Sequence, residues 1–335
     1  MPVAIAQYWK PLEGGKVKCT LCPRECTIPP GGKGFCLVRQ NRDGKLVTTV
    51  YSEITSANYD PVEKKPLYHF YPGRIIFSIG TNGCNLDCKS CQNWEIARQD
   101  TPHLRQIFTP EMAADYAGRY DSIGIAYTYN DPIIWFEFVK DAAEKVKETG
   151  LKNVLVTNGN ISLEALRELL PLIDAFNVDL KGIDKEYYLK FSSFPNPNVW
   201  KVCEEIKKAG KHLELTKLIV PGFDQFTPEY FERFARWVAE NLGKEVPMHY
   251  SRFFPAYKLL NTPPTPVEVI DTAYDVSKEY LYYVYVGNVI EPERESTYCP
   301  QCGALLVRRV GYNTEVLFTP DGKCPKCGRP VDFIF

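Results

Sequence analysis

Long apolar runs are missing from this chain of 335 residues. The longest, "LYYVYV" and "IIWF", fall far short of the roughly 18 consecutive apolar residues a spanning helix needs, so no membrane association is expected. A surplus of one charge is missing too. The formal net charge is −1, which gives neither nucleic acid nor an anionic surface an electrostatic handle. The opening "MPVAIAQYWKPLEGGK" lacks a basic stretch followed by an apolar one, the pattern of a secretory signal, and a cytoplasmic protein is expected. No low-complexity tract and no repeat with a period of roughly 20–50 residues stands out.

Cysteine, by contrast, is abundant, and the twelve cysteines fall into groups. Cys19, Cys22, Cys26 and Cys36 form C-x2-C-x3-C-x9-C, Cys84, Cys88 and Cys91 form C-x3-C-x2-C, and Cys299, Cys302, Cys324 and Cys327 form C-x2-C-x21-C-x2-C. Cys203 stands alone in the helical "VWKVCEEIKKAG" and reads as a buried apolar filler. In a reducing compartment such sets point to metals or chemistry rather than to a disulfide framework.

Residues 1–72 read as loop-rich, with turn chemistry in "TIPPGGKGF" and "FYPG" and a hairpin near "NRDGKLVTTVY". From residue 73 strand and helix signals alternate. Strands are expected at 74–79, 123–129, 153–158, 176–180, 213–220 and 248–253. Helix starts are expected at Thr109-Pro110-Glu111, Ser162-Leu163-Glu164, Thr227-Pro228-Glu229 and Thr265-Pro266. Such repeats imply a parallel sheet covered by helices. They are too few for a closed eight-stranded barrel. The expected fold is α/β: a partial (β/α)6 barrel over 73–289, a four-cysteine N-terminal segment over 1–72 packed on it, and a zinc-ribbon-like module over 290–335.

Three cysteines on a Gly-rich loop beyond the first barrel strand are one short of a closed tetrahedral zinc site. Zinc completed by a histidine or water is one reading. A [4Fe–4S] cluster is the other: four irons held by three thiolates leave one iron able to bind something else. The motif in this place resembles the signature of the radical S-adenosylmethionine (SAM) superfamily. The ordered segments "PLYHFYPGRIIFSIGTNGCNLDCKSCQNWEIA", "AYTYNDP", "VTNGN", "VDLKG", "IVPG", "PMHYSRFFPAYKL" and "YVGNV" narrow the likeness to AmmeMemoRadiSam-system enzymes, relatives of pyruvate formate-lyase-activating enzymes.

The resemblance implies that Cys84, Cys88 and Cys91 ligate the cluster and that SAM chelates the fourth iron. One-electron cleavage of SAM then yields a 5′-deoxyadenosyl radical that abstracts hydrogen, in an anaerobic enzyme. It further implies SAM contacts from Tyr129, Asn130 and Asp131 of "TYNDP", a segment that a strand-ending turn would also explain. Thr157 and Asn158 are expected near the ribose or carboxylate, with Asp179 and Lys181 at the end of the fourth strand; a solvated Asp-Lys loop is the alternative. His249 and Arg252 are expected on opposite faces of the sixth strand, His249 as a SAM- or substrate-side residue or as a core histidine. His69 is a weaker candidate. The chain departs from the activating enzymes at Val156, where an acidic residue aids a cation site, at Ser90, where an aromatic packs near adenine, and at Thr216, where an arginine holds SAM. Trp94 could take the adenine, and Arg252 or Lys217 the arginine's role.

The paired "CPQCG" and "CPKCG" knuckles read as a zinc ribbon, with a rubredoxin-like iron site as the alternative. The N-terminal set reads as structural zinc or a second cluster. Implied partners are a ferredoxin- or flavodoxin-type one-electron donor, Memo-type and AMMECR-type proteins, and a protein substrate with a backbone glycine target. The rival functions are a nonenzymatic iron–sulfur or zinc redox or sensing scaffold, which would not need SAM-contact motifs on successive strands, and a radical SAM enzyme acting on RNA or a small molecule.

Overall fold

The computed structural model describes residues 3–335. Its centre is one sheet of eight strands: β1 (Ser56–Pro61), β2 (Ile75–Gly80), β3 (Gly124–Tyr127), β4 (Lys152–Thr157), β5 (Ala175–Asp179), β6 (His212–Ile219), β7 (Met248–Arg252) and β8 (Val284–Gly287). The strands lie in sequence order; β1 runs antiparallel to β2, and the later pairs are parallel. Helices α1 (Trp94–Arg98), α2 (Pro110–Ala117), α3 (Phe136–Glu148), α4 (Leu163–Leu169), α5 (Lys185–Ser192), α6 (Val199–Lys208), α7 (Pro228–Asn241) and α8 (Val267–Lys278) occupy the crossovers. Right-handed crossovers between consecutive neighbours put the helices on one face and curl the sheet, leaving its other face to enclose a space.

Alternation sorts the strand side chains between these faces. Phe77, Ile79, Ile125, Tyr127, Leu155, Phe176, Val178, Leu215, Met248 and Tyr250 share the main core with Phe138, Val139, Leu166, Val202, Phe231 and Phe234 of the helices. Ile76, Ala126, Val154 and Ala175 point the other way and pack on Val62, Leu67 and Phe70, which plug the barrel's base.

The sheet extends the expected barrel at both edges. β8 adds a seventh parallel strand, and β1, from the segment before residue 73 that was expected to pack on the barrel, joins its sheet and pairs along the whole of β2. The expected hairpin is present: Arg39–Arg42 pairs with Lys45–Thr48 around Asp43 (φ 52°) and Gly44 (φ 77°), the positive-φ pair a two-residue hairpin turn requires. Thr109 and Ser162 cap α2 and α4 by accepting the amides of Met112 and Ala165. At α8 the helix begins one residue late, with Pro266 as its N-cap. Thr265 instead donates to the Ile219 carbonyl at 2.6 Å.

Residues 297–316 carry a three-stranded antiparallel sheet, Thr297–Tyr298, Leu305–Val310 and Asn313–Val316. The chain's end then returns to the base plug, where Ile334 bridges Phe70.

Candidate active site

The C-terminal ends of the strands open into a cavity of about 840 Å³. Cys84, Cys88 and Cys91 line it from the loop between β2 and α1. That loop is held at several points. Asn82 Nδ2 donates to the Ile96 and Gln99 carbonyls (both 3.1 Å) and to Thr101 Oγ1 (2.8 Å). Asn85 Nδ2 donates to the Asn160 carbonyl at 2.9 Å, and Lys258 pairs with Asp87 at 2.6 Å. The three thiols sit in poor solvent for an anion. Burial, with Asp131 nearby, pushes the Cys84 thiol well above the usual range, and burial pushes Cys88 up to about 12 although Lys181 pulls it down. A metal centre supplies the positive charge that would make all three thiolates.

Each strand end adds polar groups to the wall. Tyr129, Asn130 and Asp131 follow β3; Thr157 and Asn158 end β4; Asp179 and Lys181 end β5; His249 and Ser251 lie on β7. Tyr129, at φ 70°, offers its carbonyl to Asn93 Nδ2 (2.7 Å) and its hydroxyl to Asp60 (2.8 Å). Asn130 Nδ2 donates to the Gly83 carbonyl at 2.7 Å, tying the end of β3 to the cysteine loop. Asp131 accepts from Thr157 Oγ1 (3.1 Å) and from the amides of Asn158 (2.8 Å) and Ile133 (3.1 Å). Its oxygens thus brace β3 against β4 from within the wall, and burial still raises its carboxyl to about 6. Lys181 pairs with Asp179 at 2.9 Å.

Residues 78–238 match the Radical SAM superfamily, and the three cysteines fall within that span. The chain carries a radical SAM superfamily domain over those residues. It is 40% identical over 334 residues to the uncharacterized protein MJ0808 of Methanocaldococcus jannaschii, covering 98% of this chain and 99% of that one. A pyruvate formate-lyase-activating enzyme of Staphylococcus aureus is 22% identical over 166 residues, 45% of this chain and 64% of that enzyme. The Streptococcus suis SuiB structure bound to precursor peptide SuiA superposes with a TM-score of 0.50 at 13% identity, over 69% of this chain and 52% of that one, a likeness of fold alone. Among the described residues no helix is long and apolar enough to cross a membrane.

Against this radical SAM frame several expected residues stand elsewhere. On β7, His249 and Ser251 face the cavity, so period-two alternation turns Arg252 away. Arg252 Nε donates to the Thr265 carbonyl at 2.7 Å, and its guanidinium covers the Phe254 ring. Lys217 cannot take its place either; it is buried behind the sheet against Asp224 at 2.6 Å. Trp94 stacks on Tyr257 at 5.2 Å, outside the cavity wall. His69 lies in the base plug: its Nδ1 donates to the Asp332 carbonyl (2.8 Å), and Nε2 accepts from the Tyr285 hydroxyl (2.6 Å).

Glu214 is the residue that sequence reading missed. Fully buried on β6, it accepts from the amides of Tyr68 (3.0 Å) and His69 (2.7 Å) and from Nε2 of His212 (2.9 Å) and His249 (2.7 Å). Burial alone would raise its carboxyl; the bonds from His212 and His249 hold it well below the usual range. It clamps the plug to the cavity floor and fixes His249. The available signal was a lone acid inside the strand "LELTKLIV".

The flanking cysteines differ in geometry. Cys299 and Cys327 sulfurs lie 3.6 Å apart, as do those of Cys302 and Cys324, and all four fall within 4.8 Å of one another. A tetrahedral ion with bonds of about 2.3 Å sets its sulfurs about 3.8 Å apart, so this group fits a single metal ion. Cys19, Cys22, Cys26 and Cys36 instead line a separate small cavity, where burial raises Cys19 to about 11 and Cys22 to about 12.

Proposed function

We propose that this radical SAM protein is an enzyme that cleaves SAM reductively and abstracts hydrogen from a substrate, with a protein segment as the substrate class. The observation that carries the proposal is the placement of three half-buried thiols, one short of a closed site, on a cavity ringed by polar groups from successive strand ends. Cys84, Cys88 and Cys91 would hold a [4Fe–4S] cluster with one iron left for SAM. With both bound, the site would supply one-electron cleavage of the sulfonium to a 5′-deoxyadenosyl radical that abstracts hydrogen.

The chain's own groups do the rest. Lys181 sets positive charge beside Cys88 and Cys91, and Asp179 holds that ammonium in place. Asp131 keeps the ends of β3 and β4 at a fixed spacing, so the carbonyls and amides there meet a ligand without rearranging. The base plug, locked by Glu214, closes the barrel to water from below. Similarity to pyruvate formate-lyase-activating enzymes supports a protein substrate and a ferredoxin- or flavodoxin-type electron donor. The motifs shared with AmmeMemoRadiSam-system enzymes support Memo-type or AMMECR-type partners. The compact C-terminal sulfurs support zinc as a structural ion there.

Anaerobic reconstitution, dithionite reduction and chromatography test the proposal directly. SAM is expected to yield 5′-deoxyadenosine with the native chain and none with Cys88→Ala. No 5′-deoxyadenosine from the fully iron-loaded native protein, with or without candidate partners, would refute it.

A further inference from the structure

Cys19, Cys22, Cys26 and Cys36 surround a small cavity whose wall also includes apolar groups such as Leu21, Ile28 and Ile133. Its free volume is about 20 Å³. That exceeds the roughly 10–15 Å³ one water needs, in an interior that ordinarily packs such voids shut. Zinc would draw four sulfurs to about 3.8 Å from one another. Among the described residues only the C-terminal cysteines gather within 4.8 Å, so no three of the N-terminal sulfurs do. Cys84, Cys88 and Cys91 likewise do not gather within that distance of one another. In a four-iron cube each thiolate bonds a different iron, which demands this wider spread.

Two arginines on the cavity wall add a second, independent observation. Arg39 is 1% exposed and pairs with Glu137 at 2.8 Å, yet its Nε has no acceptor. Arg24 donates its Nη2 to the Ser193 carbonyl, and its Nε is likewise buried and unpaired. A buried donor without an acceptor forfeits its hydration with nothing in return. The inorganic sulfides of a cluster are acceptors for such N–H groups, and the Arg24 guanidinium offsets part of its negative charge.

The cavity also adjoins the radical SAM loop. Asn85, next to Cys84, lines it. A Cβ on Gly83 would fall 2.5 Å from the Cys36 carbonyl oxygen, and Arg98 Nη1 bridges the carbonyls of Phe35 (3.1 Å) and Cys84 (3.2 Å).

We propose that Cys19, Cys22, Cys26 and Cys36 ligate a second [4Fe–4S] cluster, packed against the loop of the first and serving as its electron entry. The second cluster accepts one electron from a ferredoxin- or flavodoxin-type donor and passes that electron on, returning to its oxidised form with its thiolate bonds intact. The entry role rests on the radical SAM reading; the ligation does not.

The test is metal and sulfide analysis with EPR on the full chain, purified anaerobically after iron-replete expression, for the native protein and a Cys84→Ala, Cys88→Ala, Cys91→Ala triple variant. The native chain is expected to hold about eight irons, eight sulfides and one zinc, and the triple variant about four irons and four sulfides. About four irons and two zincs in the native chain, or an iron-free triple variant, would overturn the ligation. Should the triple variant be insoluble, the native iron-to-zinc ratio decides. In the fully reduced native protein the two spins should broaden each other relative to the triple variant; two unperturbed signals would overturn the entry role. These readouts stand whether or not SAM is cleaved, so a failure of the enzymatic reading is recognised separately.

Discussion

Lys181 meets the cysteines as a fixed cation. Burial works against its charge, but Asp179 and the sulfurs of Cys88 and Cys91 hold the ammonium protonated far above neutral pH. A cation there favours the reduced, more negative state of a cluster on those cysteines. Lys181→Met should therefore lower the cluster's midpoint potential by roughly 60 mV, the one-electron equivalent of a tenfold bias. Asp179→Asn, which leaves the cation uncompensated, should move it upward. A redox titration followed by EPR checks both signs, and shifts in the same direction for the two variants would contradict the assignment. His249 is settled by geometry rather than charge. Glu214 pins its ring from below, so it faces the cavity as a positioned, buried group.

At the scale of elements, the contact between two cysteine loops turns on Gly83. Its φ is 98°, and a Cβ there would meet the Cys36 carbonyl oxygen at 2.5 Å and Val38 Cγ1 at 2.8 Å. Gly83→Ala should cost roughly 2–4 kcal/mol from backbone strain and overlap together. Gly210→Ala, at φ 68° with open space around it, should cost only about 1 kcal/mol. Chemical denaturation of both variants reads the difference; equal losses would mean that strain alone acts at Gly83. The same elements show what the sequence made legible. The six expected strands match β2–β7 to within two residues because parallel strands buried on both faces read as apolar runs. β8 was not among the expected strands although "LYYVYVG" is an apolar run of the same kind, and β1 was not because "SANYDP" has almost no apolar signal and takes its place only by pairing with β2. Alternation grouped His249 with Ser251 and set Arg252 on the other face, but which face looks inward is a property of the closed curve, not of the strand.

At the scale of the whole molecule, the C-terminal module meets the base plug beneath the barrel. Arg309, fully buried, donates to the Tyr68 carbonyl at 2.6 Å and to Thr297 Oγ1 at 2.8 Å, joining the C-terminal sheet to the plug. Beside it, His69 stacks on Phe333 at 4.1 Å and links Tyr285 of the barrel to the Asp332 carbonyl. Burial depresses the His69 pKa from 6.5 to about 3, so the folded protein keeps the ring neutral where an unfolded chain would protonate it. The sign follows from linkage: below pH 6.5 the unfolded state binds a proton the folded state refuses, and stability is lost as pH falls from there towards 3. One unit below the unfolded value the loss from this residue is about 1.4 kcal/mol. Thermal midpoints measured at pH 7.5 and 5.5 should therefore fall further for the native chain than for His69→Gln, which has no proton to gain. Because the two proteins differ at this position alone, the comparison isolates it, and parallel declines would show that His69 is not the buried neutral link between plug and C-terminal sheet.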